Sequence, residues 1–160
     1  MTEGIFILLG SNLGDRKSNL SNAIANIQNS IGETVKTSSI YETAAWGKTN
    51  QPSFYNQVIQ LKTNLPPTEL LIKAHSIEEK MGRIRKVKWG ERLIDIDLLY
   101  YNDQVIISSE LQVPHSGIPY RRFTLIPLVE IAPDFIHPAL MKSNSILLEE
   151  CQDFLKVGII

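Results

Sequence analysis

The sequence predicts an α+β fold of the ferredoxin-like type, βαββαβ, with an antiparallel sheet and two helices on one face. Three observations predict it. Short apolar runs bounded by glycine or proline are typical of strands. Two longer stretches repeat apolar residues every three or four positions, as amphipathic helices do. These elements follow one another as strand, helix, strand, strand, helix, strand. We expect residues 1–160 to form a single domain with a C-terminal hairpin and helical additions.

The first half of the pattern consists of one helix between two strands. Ile5 to Leu9 is an uninterrupted apolar run ending at Gly10, typical of a strand buried on both faces. Asp15 can cap the helix that follows. That helix ends at Gly32, and its apolar face comprises Leu20, Ala23, Ile24, Ile27 and Ile31. Residues 33–41, rich in Thr, Ser, Val and Ile, are predicted as the second strand.

The second half repeats this arrangement and then becomes irregular. Tyr55 to Thr63 is predicted as a strand, and Pro66 opens a helix. Its apolar face comprises Leu70, Leu71, Ala74, Ile77 and Met81. A fourth strand is predicted over 93–101, followed by a hairpin arm over 104–107 and a final helix over 143–155. In this fold the face of the sheet opposite the two helices stays available for a site.

Composition excludes several classes of protein. Sixteen basic and seventeen acidic residues give a net charge of −1, which argues against binding nucleic acid through bulk charge. A single cysteine excludes an intrachain disulfide and favours a reducing compartment. The apolar run near the N-terminus is too short for a signal peptide or a membrane span. We therefore expect a cytoplasmic protein with neither nucleic acid nor a membrane as partner.

Two acidic residues in the fourth predicted strand are the strongest sign of chemistry. Side chains alternate between faces along a strand, so Asp95 and Asp97 point to the same side, about 6.6 Å apart at their Cα atoms. Two carboxylates at this spacing can share hard cations such as Mg²⁺. The alternation assigns Leu99 and Tyr101 to the face of the acids, and to the other face Ile94, Ile96, Leu98 and Tyr100. The competing interpretation is that this is the solvent-exposed face of an amphipathic strand. The apolar Leu99 and Tyr101, assigned to the same face, argue against it.

A cationic segment lies directly before this strand. Residues 82–92 contain five cations and one acid and begin with a glycine. A cationic loop beside paired carboxylates suits phosphoryl transfer, because it neutralises phosphate charge and can exclude water. A solvated run of charges is the alternative. Trp89 in this loop either stacks on a base or anchors the loop.

Together these blocks resemble the 6-hydroxymethyl-7,8-dihydropterin pyrophosphokinases of folate biosynthesis. The resemblance covers the chain from near its N-terminus to about Pro138, and the stretch Trp89 to Leu98 followed by Val113-Pro114-His115 is highly specific. Further matching blocks are Leu9 to Gly14, Gln51 to Asn56, Gly82 to Arg85, Arg121 to Phe123, and Pro127 to Pro133. The resemblance implies that a pyrophosphoryl group moves from ATP to the pterin hydroxymethyl group with release of AMP, with two Mg²⁺ ions, by a monomer.

The resemblance also implies roles for individual residues. Asp95 and Asp97 would hold the metal ions, and Arg83 and Arg92 would act on the phosphates. The residues implied to bind ATP are His75, Glu78, Arg85, Lys88, Trp89, Leu98, His115, Ser116 and Arg121. Those implied to bind the pterin are Thr43, Ala44, Ala45, Trp46, Phe54, Asn56 and Phe123, with the two phenylalanines sandwiching the ring. The stretch Ala44-Ala45-Trp46 departs from the family's usual two prolines followed by an aliphatic residue.

Two other functions fit the same fold. A ligand-sensing module would need neither the metal pair nor a cationic loop. An RNA-binding domain would place aromatic and cationic side chains on the sheet face. Here that face presents Asp95 and Asp97, which repel phosphate unless they carry metal. The pattern therefore favours an enzyme.

Overall fold

The computed structural model describes residues 2–44, 51–82 and 93–160. Arg83, Arg85, Lys88, Trp89 and Arg92, with Ala45 and Trp46, lie outside these described residues. The described elements are β1 Thr2–Ser11, α1 Arg16–Ser30, β2 Glu33–Thr37, β3 Tyr41–Thr43, β4 Phe54–Thr63, α2 Pro67–Lys80, β5 Asp95–Tyr101, β6 Ile106–Ile107, β7 Gln112–Val113, a 3-10 helix Ile118–Tyr120, α3 Arg122–Ile131, α4 Asn144–Glu150 and β8 Val157–Ile159.

The main sheet confirms the ferredoxin-like prediction. Its strands lie in the order β5-β1-β4-β3-β8, β2 also pairs with β4, and every pairing is antiparallel. β1 and β4 are the central strands, as the βαββαβ order requires. The cap expected for α1 is present, since Asp15 accepts a hydrogen bond from the Ser18 amide at 3.1 Å.

Two apolar cores lie on the two faces of this sheet. Helices α1 and α2 cover one face, where Ile5, Ile7 and Leu9 are buried. α3 and α4 belong to the additions and cover part of the opposite face, over Phe6, Leu8 and Val58 of the central strands and two side chains of β5. The opposite face is therefore only partly open, at the end of β1 that carries Gly10.

The second predicted strand is two strands, because the chain bends between Thr37 and Tyr41. The β2–β4 register shifts between Thr34 and Lys36, and β3 then pairs with an earlier part of β4. At the bend, Ser38 exchanges hydrogen bonds with Val58: its amide donates to the Val58 carbonyl at 2.8 Å, and its Oγ accepts from the Val58 amide at 2.9 Å. The bend keeps the backbone paired although the strand is interrupted.

A bulge in β5 corrects the predicted faces of two tyrosines. Ile7 pairs with Leu98, but the adjacent Phe6 pairs with Tyr100, so Leu99 is an extra residue. Leu99 and Tyr100 both pack in the core under α3 and α4, whereas Tyr101 packs with the α1–α2 core. The alternation predicted the reverse for Tyr100 and Tyr101, and it failed because one inserted residue reverses the facing of all later side chains.

The C-terminal third differs from the prediction in four places. The arm at Ile106–Ile107 pairs with Gln112–Val113 in a separate hairpin and not with the fourth strand. The final helix ends at Glu150 rather than residue 155. The chain then returns to the main sheet as β8, and the irregular stretch before it contains helix α3. Within the described ranges, no helix is both long enough and apolar enough to cross a membrane.

Candidate active site

The two acidic residues of β5 lie on the face that α3 and α4 partly cover. Asp95 is the register partner of Gly10, and Asp97 is that of Leu8. Paired residues of an antiparallel sheet project to the same side, and Leu8 belongs to the α3–α4 core. The carboxylates therefore share one face, as the alternation predicted, and both are half-buried.

Asp95 and Asp97 line a polar cleft of about 280 Å³ at the outer edge of β5. α2 forms one wall and the segment 110–116 forms the other. The lining residues are Leu71, His75 and Glu78 of α2, Asp95 to Leu98 of β5, and Glu110, Leu111, Gln112, His115 and Ser116. The fold thus brings together five of the residues predicted to contact ATP, His75, Glu78, Leu98, His115 and Ser116, with both acids.

Glu78 holds the edge of β5 that faces this cleft. Its carboxylate is almost fully buried, at 1% exposure, and accepts a hydrogen bond from the Ile96 amide at 2.8 Å. Among the described strands, β5 is the last on this side of the sheet, so the outward-pointing Ile96 amide meets no described strand. Backbone groups two residues apart point the same way, which directs those of Leu98 toward the cleft as well. Farther along, the His115 amide donates to the Leu99 carbonyl at 2.9 Å.

His115 is neutral at physiological pH. Burial, together with the nearby charge of Arg121, lowers the pKa of its ring to about 4, although Asp95 acts in the opposite direction. Nδ1 accepts a hydrogen bond from the Gly117 amide at 3.0 Å, so the ring proton resides on Nε2. A neutral ring whose Nε2–H donates can bind an anionic oxygen without adding charge beside Arg121.

Arg121 lies against Gly117, which has no side chain to obstruct it. A Cβ atom at Gly117 would come within 2.8 Å of Arg121 Nε. The same guanidinium lies over the ring of Phe123, with Cζ 5.8 Å from the centroid. This contact connects the cleft to the first turn of α3, where Phe123 packs against the α3–α4 core.

Apart from Phe123 of α3, the described residues predicted to bind the pterin lie on or directly after β3 and β4. One row of register partners crosses five strands: Ile159, Tyr41, Asn56, Gly10 and Asp95. Thr43 pairs with Phe54 next to this row, and the Asn56 Nδ2 donates to Thr43 Oγ1 at 3.2 Å. Ala44 follows β3 and is exposed. The same face therefore carries Phe54 and Asn56 two strands away from Asp95, and Thr43 three strands away.

Gly10 and Tyr41 belong to this row but were not predicted as site residues. A Cβ atom at Gly10 would lie 2.8 Å from Asn56 Oδ1, so only glycine leaves room for that side chain. The Tyr41 hydroxyl donates to Glu130 of α3 at 2.6 Å. Burial, together with this contact, raises the pKa of Tyr41 to about 12. The position of Gly10 between a strand and a polar turn could have indicated a site residue, whereas no local sequence feature distinguished Tyr41.

A hard cation would find only part of its coordination shell in the described protein. Within residues 2–44, 51–82 and 93–160, no cluster of three or more His, Cys, Asp or Glu side chains could hold a metal ion. Asp95 and Asp97 supply the oxygen donors that Mg²⁺ prefers, and Mg²⁺ commonly binds through one or two carboxylates with substrate phosphates and water. The pair therefore fits a metal that arrives with a phosphorylated substrate.

Comparison with known proteins gives a consistent family. The family model described as 7,8-dihydro-6-hydroxymethylpterin-pyrophosphokinase (HPPK) matches residues 6–133. A 2-amino-4-hydroxy-6-hydroxymethyldihydropteridine pyrophosphokinase of Aquifex aeolicus is 45% identical over 138 residues, which cover 86% of each chain. A Synechocystis protein of the same name is 40% identical over 148 residues, covering 92% of this chain and 75% of that protein.

A solved structure shows the same fold. The crystal structure of Plasmodium falciparum wild-type HPPK-DHPS with SDX-DHP superposes with a TM-score of 0.74 at 18% identity and covers 93% of this chain. This chain spans 43% of the length of that one. The two proteins therefore share a fold. The family is shown by the first two relatives, through their sequence identity and the share of this chain that they cover. On this sequence match, the chain belongs to the 7,8-dihydro-6-hydroxymethylpterin-pyrophosphokinase family, the pyrophosphokinases of folate biosynthesis.

Proposed function

We propose that this protein transfers the pyrophosphoryl group of MgATP to the hydroxymethyl group of 6-hydroxymethyl-7,8-dihydropterin and releases AMP. One observation carries the proposal. Asp95 and Asp97 share a face of β5 and line the cleft beside α2, and Asp95 lies in the same row of the sheet as Asn56 of β4. Metal-binding carboxylates between two substrate regions are what this transfer requires.

Asp95 and Asp97 hold two Mg²⁺ ions in this proposal. When bound, the ions would supply positive charge that neutralises the charge developing on the phosphates during transfer. The protein's part is to keep the two carboxylates parallel. Pairing of β5 with β1 does so, since it sets both side chains on one side of the sheet. Without a cation, the two like charges would repel each other.

The cleft at the β5 edge binds ATP. Glu78 aligns the strand edge, so that the Leu98 backbone can form hydrogen bonds with a planar base, as an added strand would. His115 donates from Nε2 to a phosphate oxygen, and His75, Ser116 and Arg121 complete the contacts. From outside the described residues, Arg85, Lys88 and Trp89 contact the nucleotide, and Arg83 and Arg92 neutralise the phosphates.

The pterin binds on the other side of the acids. Phe54 and Phe123 stack on the two faces of its ring, and Asn56 bonds its polar edge. The Asn56 amide is well suited to this task, because its hydrogen bond to Thr43 fixes its orientation. Thr43, Ala44, Ala45 and Trp46 supply further contacts, two of them from outside the described residues.

Catalysis in this arrangement depends on positioning and charge neutralisation. The pterin hydroxyl oxygen attacks the β-phosphorus, and the bond from that phosphorus to the bridging α-oxygen breaks as AMP leaves. The hydroxyl proton leaves late, to water or to a carboxylate of the Asp95–Asp97 pair. Holding the two substrates in line lowers the entropic cost of their encounter. The residues assigned to the site include no strong general base, and the neutral His115 serves as a donor.

The product distinguishes this reaction from simple phosphorylation. Protein incubated with MgATP and the hydroxymethyl-dihydropterin should produce AMP and the pterin pyrophosphate in equal amounts, measured by ion-exchange chromatography. Addition of a chelator should stop the reaction. Formation of ADP instead, or turnover that survives chelation, would contradict the proposal.

We also propose that residues 1–160 act as one pyrophosphokinase domain. β8, near the C-terminal end, pairs with β3 in the sheet that β1 starts. Contacts of this kind make the tail part of the same folding unit.

A further inference from the structure

Helix α3 begins without a cap of its own. Arg121 occupies the N-cap position, its side chain makes no capping hydrogen bond, and the first turn of the helix contains no acid. A cation at this end is unfavourable, because the helix dipole is positive there and prefers negative charge. Arg121 instead lies toward Gly117 and Phe123, on the side of the candidate site.

The missing cap comes from the C-terminal tail. Asp153 Oδ2 accepts a hydrogen bond from the Arg122 amide, the first residue of α3, at 3.0 Å. Its other oxygen accepts from the Leu155 amide at 3.0 Å, which fixes the carboxylate within a turn of the tail. Asp153 is half-buried and therefore less screened by solvent than a fully exposed acid.

The same tail is also attached to the opposite wall of the proposed pterin pocket. Four residues after Asp153, the chain forms β8, in which Val157 pairs with Thr43 and Ile159 pairs with Tyr41. The Ile160 amide donates to the Ile40 carbonyl at 3.2 Å and extends this pairing. One short segment thus fastens both the start of α3, which carries Phe123, and β3, which carries Thr43.

We infer that Asp153 is a positioning residue for the pterin pocket: its cap on α3, anchored through β8 to β3, sets the separation between Phe123 and the β3–β4 wall. The inference rests on the proposed function. A flat ring held between two aromatic side chains requires a gap of defined width, and a small displacement of one wall weakens stacking. Asp153 lies beyond residues 6–133, the part of the chain that matches the family model.

Two variants and a matched control test this role. D153A removes the cap, and D153N keeps an oxygen acceptor without the charge. S143A is the control, since it removes the cap of α4, where Ser143 Oγ accepts from the Ile146 amide at 3.2 Å, and leaves the start of α3 untouched. KM for the pterin and KM for ATP are measured separately for the full chain, together with thermal unfolding.

D153A should raise KM for the pterin about five-fold, the effect of losing one helix cap, and change KM for ATP less than two-fold. D153N should restore most of the pterin affinity, and S143A should lower the unfolding temperature without raising KM for the pterin. If D153A is unfolded at the assay temperature, D153N decides, with a pterin KM raised about two-fold and an unchanged KM for ATP.

Unchanged pterin KM in both Asp153 variants would overturn the inference. So would equal increases in both KM values, or a pterin KM in S143A as high as in D153A, because these outcomes indicate general destabilisation. Failure of the proposed function has a different signature: the unaltered protein would form no AMP, whereas failure of the inference leaves the unaltered protein active.

Discussion

Replacing Gly10 by alanine tests whether the row of residues that crosses the sheet controls pterin binding. The new Cβ would lie 2.8 Å from Asn56 Oδ1 and 3.7 Å from Phe54 Cδ1. Gly10 has no positive φ, so its backbone accepts alanine without strain. The substitution therefore acts through this one close approach, on a side chain that we assign to the pterin.

The magnitude follows from how little the Asn56 side chain can move. It is 4% exposed, and its Nδ2 donates to Thr43 Oγ1 at 3.2 Å, so relief of the contact disturbs that bond. An added methyl group in a packed site costs about 1–3 kcal/mol. If displacement of Asn56 transfers about half of that cost, about 1 kcal/mol, to the bound pterin, KM for the pterin rises about five-fold.

The assay separates the two substrates. KM for the pterin is measured at saturating MgATP, and KM for ATP at saturating pterin. The three atoms nearest to the added Cβ belong to Asn56 and Phe54, so KM for ATP should stay within about two-fold. Gly158→Ala is the matched control, because a Cβ there meets nothing within 4 Å. A G10A protein that folds normally and keeps the pterin KM of the unaltered protein would refute the assignment of Asn56.

Three further predictions concern the metal pair, the cationic loop and His115. Asp97→Ala should lower kcat roughly 10³-fold and leave far-UV circular dichroism unchanged, since loss of metal-based charge stabilisation costs several kcal/mol; a normal rate at saturating Mg²⁺ would contradict this. Arg92→Ala should lower kcat far more than ATP affinity, and an equal loss in both would indicate uniform binding instead. The folded pKa of His115, about 4, lies below its unfolded value of 6.5, so folding favours the neutral ring. The free energy of unfolding should therefore be highest above pH 6.5 and should decrease as the pH falls toward 4, by at most about 3 kcal/mol. Urea unfolding with chelator at pH 4.5 and 7 should show a smaller pH effect in His115→Gln than in the unaltered protein; an equal pH effect in both would contradict the shift.

The sequence already contained the features that depend on local pattern. The apolar run before Gly10 predicted β1, and the periodic apolar residues predicted α1 and α2. Burial of one face of an element gives its sequence a regular spacing of apolar residues, which can be read locally. The same alternation placed Asp95 and Asp97 on one face, and β5 confirms it up to Leu98. The ordered motifs led to the family that the comparisons show.

Tertiary structure decided what depends on partners distant in the chain. The bulge at Leu99 moves Tyr100 and Tyr101 to opposite cores, and the bend at Ser38 divides a strand, because register is chosen by contacts across the sheet. Asp153 is remote in sequence from both Arg122 and Thr43, and only the folded chain brings its segment against them. The sequence by itself therefore determined which residue types could do the chemistry and on which faces they lie. The segments that form the walls of the site, and the distances between them, depend on packing between residues far apart in sequence, which local periodicity does not encode.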